Sequence, residues 1–141
     1  MSKILSNSVI QEFLFEKKEH IVSGSSMQPL LCHGQKVLLS PCKDKLNIGH
    51  IYVFLFNGKL LMHRLITLKQ NMAVFMGDYS FRVEKIHRKA IVAKLEYNHC
   101  FSLLALIRFI NIVCYSIGRC KKFFWVAQKI RITCIALILG K

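Results

Sequence analysis

IYVFLFNGKLLMHRLITL, residues 51–68, is the stretch on which the fold turns. Its opening residues, Ile51–Phe56, are β-branched and aromatic, the side chains that suit a pleated, half-buried surface. Asn57-Gly58 follows, and both residues tolerate the positive φ that a two-residue hairpin turn demands. Lys59–Leu68 then returns with apolar and polar residues in partial alternation. The stretch predicts an antiparallel hairpin at the middle of the chain, with His63 inside its second strand.

Working outward, the neighbouring segments carry the same texture. Lys36–Ser40 reads as a short strand between Gly34 and Pro41, and Asn47-Ile48-Gly49 as a turn. Past the hairpin, Gln70-Asn71 turns the chain into Met72–Met76, and Gly77-Asp78 breaks that strand. Lys89–Leu95 is the last strand expected. The reading is a mainly β fold, a small, partly closed antiparallel domain or bent sheet over residues 21–97. Before it, Ser6-Asn7-Ser8 is a helix start, and Val9, Ile10, Phe13 and Leu14 recur at helical spacing within residues 1–20.

Residues 98–141 form a basic, apolar extension read as a helical pair, Phe101–Gly118 and Phe123–Leu139. Arg108 interrupts the first segment, and Lys129 with Arg131 the second. A cation at the centre of a spanning helix costs about 2.5–3.5 kcal/mol, which disfavours a simple transmembrane pair. Arg108, Asn111, Tyr115 and Arg119 share one polar stripe, as on a helix that packs on a core, lies in a membrane surface or grips a partner.

The chain carries 21 Lys+Arg against 7 Asp+Glu, a net charge of +14. From Phe101 onward there are seven basic residues and no acidic ones, so half of the excess lies in the extension. That balance favours polyanions: nucleic acid, an acidic peptide, or an anionic membrane surface reached through the C-terminal helices. Nucleic acid is the less favoured polyanion, because the cations do not interleave with aromatics as on a stacking platform. The six cysteines include no CxxC pair and read as free thiols in a reducing compartment. Cys32-His33 and His99-Cys100 lack metal-ligand spacing, and no glycine-rich phosphate loop is present, so neither metal nor cofactor is expected. Glu12, Glu16, Lys17, Lys18 and Glu19 break up the N-terminal segment, which argues against a signal or anchor there. The location expected is cytoplasmic, or peripheral or integral at the cytoplasmic membrane through the C-terminal segment.

Chemistry enters with three separated residues. Ser26 sits in the Ser23-Gly24-Ser25-Ser26 bend, His63 in the hairpin and Asp78 in a turn. A serine hydroxyl becomes a useful nucleophile when a base takes its proton, and a carboxylate can fix that base's tautomer. Lys59, at the hairpin turn, is a less well placed base for a Ser–Lys dyad.

The order of the surrounding boxes adds to this. Gly24-Ser-Ser-Met-Gln-Pro29, Gly34-Gln-Lys-Val-Leu38, Ile48-Gly-His-Ile-Tyr-Val-Phe54, Met62-His-Arg-Leu65 and Gly77-Asp78 follow one another. Together they resemble the signal peptidase I and LexA-like superfamily of serine peptidases over roughly Val22–Leu95. The histidine before the arginine, where bacterial signal peptidases and LexA-type proteins have lysine, is similar to the endoplasmic-reticulum and archaeal branch. The resemblance implies that fold, with Ser26 as nucleophile, His63 as general base and Asp78 as its partner. It also makes Glu84 a second acidic position, and Ser25, Met27 and Pro29 part of the oxyanion site and substrate groove.

The chain departs from the pattern at three places. Gly24 removes a hydroxyl that often helps hold the oxyanion, which leaves the backbone N–H of Ser26 as chief donor. His50 and Gln35 stand where acidic residues are usual. The function implied is a serine endopeptidase that processes a peptide or protein precursor. The alternatives are a LexA-like self-cleaving or DNA-associated regulator, and an inactive binding or membrane-surface module.

Overall fold

The computed structural model describes residues 7–16, 19–28, 30–42, 45–80, 82–96 and 124–138, with isolated positions between 110 and 116. Helix α1, Asn7–Glu16, comes first, followed by strands β1, His20–Ile21, β2, Lys36–Val37, and β3, Leu39–Pro41. The hairpin is β4, Ile51–Phe56, and β5, Lys59–Lys69; then come β6, Met72–Met76, β7, Val83–His87, and β8, Ile91–Leu95. Helix α2, Phe124–Ile138, closes the list. One antiparallel sheet has the order β3-β8-β4-β5-β6-β7, and β1 pairs with β2 separately. The mainly β architecture expected from the sequence is therefore what the chain adopts.

The hairpin forms where its turn chemistry puts it. Asn57 and Gly58 have φ of 49° and 74°, and Phe56 faces Lys59 across the turn. Two irregularities, between Val53 and Phe54 and between Leu65 and Thr67, bend the sheet around its core. In that core Phe54 and Phe75 lie with ring centroids 4.4 Å apart, both fully buried. Truncating either ring to alanine costs about 3–5 kcal/mol.

The strand expected over Lys36–Ser40 is divided at the exposed Leu38. Val37 pairs with His20 in the small sheet, whereas Leu39 pairs with Leu95 in the large one. The last strand begins at Ile91 rather than Lys89, because Arg88–Ala90 make a 3₁₀ turn capped by the His87 Nδ1, which accepts the Lys89 N–H. Strand β7 was not anticipated at all.

Helix α1 lays Ile10 and Leu14 on Val53, Val92 and Ala93, as the helical spacing predicts. Its Gln11 donates to the Val92 carbonyl, and His20 Nε2–H donates to the Leu14 carbonyl at 2.6 Å. Helix α2 buries Ala127 and Arg131 and exposes Trp125, Val126, Ile130 and Leu137. No helix among the described residues is long and apolar enough to cross a membrane. The Phe101–Gly118 segment, with its Arg108, Asn111, Tyr115 and Arg119 stripe, lies outside the described residues apart from a few positions.

Candidate active site

Ser26 is carried on the loop between β1 and β2. Val22 N–H donates to the Gln35 carbonyl and Gly34 N–H to the Val22 carbonyl, which closes the loop at its base. Inside it, Gln28 N–H reaches the Ser25 carbonyl and Leu31 N–H the Met27 carbonyl. Met27, Leu30 and Leu31 are pulled into a buried cluster with Val22, Val37, Ile51 and Leu95. This apolar anchor leaves Ser25 exposed and Ser26 half-buried at the rim. Pro29 lies outside the described residues.

Gly24 is needed for its backbone. Its φ is +95°, while a Cβ there would meet nothing within 4 Å. A side chain would be opposed by conformation and not by space. The Gly24 N–H donates to His33 Nδ1, so it is engaged, whereas the Ser26 N–H has no protein acceptor among the described residues.

His63 comes from β5 and is 5% exposed, its ring edge-on to Phe54. Its Nε2 lies 2.9 Å from Ser26 Oγ, and its Nδ1 lies 2.9 Å from Glu84 Oε2. A carboxylate only accepts, so the proton belongs on Nδ1; Nε2 is then the acceptor and the Ser26 hydroxyl the donor. The three groups form one directional chain, Ser26 to His63 to Glu84.

The expected partner of His63 was Asp78, and here the structure requires a correction. Both Asp78 oxygens are held by Arg64, Nε at 2.8 Å and Nη2 at 2.5 Å. Arg64 also donates from Nη1 to the Gly49 carbonyl at 2.7 Å, and both members of the pair are fully buried. The reason lies in strand geometry. His63 and Arg64 are consecutive in β5, so their side chains leave opposite faces of the sheet. Asp78, in the turn after β6, meets the Arg64 face, and Glu84, on β7 opposite Phe75, meets the other. The second acidic position is thus the one in contact with the histidine.

The turn after β6 also touches the serine directly. Tyr79 N–H donates to the Ser26 carbonyl at 2.8 Å. A Cβ on Gly77 would lie 2.5 Å from the Ser26 carbonyl oxygen and 3.1 Å from its Cβ. Glycine at 77 is what lets the two backbones approach.

Beside Ser26 runs an apolar groove of about 210 Å³, lined among others by Ile21, Met27, Leu39, Leu60 and Met62. Drug-sized ligands occupy roughly 300–1,000 Å³, so this space takes one or two side chains at a time. Along the groove, Lys59–His63 pair with β4 only, because β6 pairs with β5 from Arg64 onward. That half of β5 presents a free edge among the described residues. No group of three or more metal-ligating side chains occurs among the described residues.

One participant was missed from the sequence. Arg131 of α2 is fully buried and donates from Nη2 to the carbonyls of Gly77 and Ser80, each at 2.8 Å. Burial pushes its guanidinium down to about 10, with the Asp78 carboxylate opposing that effect, so it remains charged at neutral pH. Its signal in the sequence is an arginine in mid-helix among apolar residues, which reads equally as a cost of crossing a membrane.

No family model, no curated protein and no solved structure matches this chain.

Proposed function

We propose that the protein is a serine endopeptidase of the signal-peptidase and LexA-like type, acting on an extended segment of a peptide or protein precursor. The observation that carries this reading is the Ser26–His63–Glu84 chain, with both contacts at 2.9 Å. Such a chain is recognised by geometry and role on unrelated folds. In this scheme Ser26 Oγ attacks the peptide carbonyl carbon while His63 Nε2 takes the hydroxyl proton. Glu84 keeps Nδ1 protonated and stabilises the imidazolium. The Ser26 N–H receives the negative charge developing on the carbonyl oxygen.

Collapse of the tetrahedral intermediate breaks the C–N bond, and His63 returns the proton to the departing amine. Water, deprotonated by His63, then attacks the acyl ester and releases the carboxylate product and Ser26. The free edge of β5 supplies backbone partners for an added substrate strand, and the groove reads alternate side chains.

The test is a proteome-derived peptide library incubated with wild type and with Ser26→Ala, the products being sequenced. The expected result is a set of cleavages, sharing side-chain preferences near the cut, made only by wild type. Identical products from both proteins, or none from wild type, would overturn the proposal. Gly77→Ala provides a second check on the site. The added methyl must displace the Ser26 backbone, and a misplacement of about 1 Å costs roughly 10²-fold in rate. The expected outcome is a loss of that order in kcat for a Ser26-dependent peptide, read per folded molecule.

A further inference from the structure

Helix α2 is separated from the Ser26–His63–Glu84 chain in sequence, yet it is joined to it by a short run of hydrogen bonds. Arg131 holds the carbonyls of Gly77 and Ser80, the two ends of the turn after β6. Between them Asp78 is clamped by Arg64, and Tyr79 N–H holds the Ser26 carbonyl. Gly77 is in close backbone contact with Ser26 itself. The turn is therefore fixed on one side through its carboxylate, from β5, and on the other through its carbonyls, from α2.

A fully buried guanidinium is costly, since an apolar side chain of similar volume stabilises a buried position as well or better. What Arg131 adds is two directed bonds to the segment on which Ser26 rests. We infer that Arg131 is a positioning residue that sets Ser26 against His63 through the Gly77–Ser80 turn, so that α2 is part of the catalytic apparatus. This rests on the reading of Ser26 as the nucleophile. The arginine touches neither Ser26 nor His63 in the hydrogen bonds described; it acts through the backbone between them.

The experiment compares wild type with Arg131→Met, which keeps an unbranched apolar stem and loses the donors. Two readouts are taken. Hydrogen exchange at the Tyr79 amide should accelerate at least about 10-fold while the β4 and β5 amides keep their protection. With a peptide cleaved in a Ser26-dependent way, kcat per folded molecule should fall about 10²-fold and KM change little, as expected for a misplaced nucleophile. If Arg131→Met does not fold, Arg131→Gln is read in the same way; it keeps a donor but lacks the reach to both carbonyls.

Unchanged Tyr79 exchange, or a lowered melting temperature with unchanged kcat per folded molecule, would overturn the inference and leave the peptidase reading intact. Wild type without Ser26-dependent cleavage would remove the peptidase reading instead, and the Tyr79 exchange would still report on the coupling of α2 to the turn.

Discussion

Glu84→Gln is expected to lower kcat for Ser26-dependent cleavage by about 10⁴-fold and to leave the protein folded. Glu84 Oε2 accepts the Nδ1 proton of His63 at 2.9 Å, in a site where both groups are almost fully buried. A glutamine fills the same volume but can present its NH₂ to Nδ1. That drives the imidazole proton to Nε2, the nitrogen that must accept from Ser26. The loss should fall on kcat, because the groove proposed to bind substrate is lined by other residues. Circular dichroism and a melting curve separate this outcome from unfolding. A Glu84→Gln protein with wild-type kcat would remove Glu84 from the mechanism.

Asp78→Ala is expected to act on stability, by about 3–5 kcal/mol. Asp78 neutralises Arg64 with two charge-assisted bonds, and neither side chain is exposed. Removing the carboxylate leaves the guanidinium in the same dry place without its counter-charge. For a domain of this size the melting temperature should drop by roughly 10 °C or more, and the denaturation midpoint should move with it. The two substitutions form a contrast: on the proposed reading, one carboxylate serves the reaction and the other the frame. An Asp78→Ala protein as stable as wild type would remove Asp78 from the frame.

That contrast marks where the sequence stops being legible. The central hairpin could be read because Asn57-Gly58 is a local signal, satisfied by the φ preferences of two residues. The first helix could be read from its Ser6-Asn7-Ser8 start and the spacing of Val9, Ile10, Phe13 and Leu14, of which Ile10 and Leu14 are buried and Val9 is exposed. Ser26 and His63 stand out through the order of the boxes around them and the family those boxes resemble, and the fold brings their side chains to 2.9 Å.

Choosing between Asp78 and Glu84 needed information of a different kind. It depends on which face of β5 each carboxylate meets, and hence on pairing registers between strands. Strand β7 was hidden for a related reason. Its alternation places Glu84 inward with Ile86, and an inward carboxylate spoils the apolar pattern by which a half-buried strand is recognised. Arg131 was opaque because its partners are main-chain carbonyls, which carry no side-chain signature.

The Arg131 contact also has a place in time. Ribosomes deliver a chain from its N-terminus, so Ser26, His63 and Glu84 are all available well before α2. Arg131 follows Gly77 by 54 residues. A nascent chain that has completed its β sheet would hold the reacting groups but lack the bond that seats their supporting turn. On the proposed reading, full activity would then arrive only after α2 has left the exit tunnel and docked.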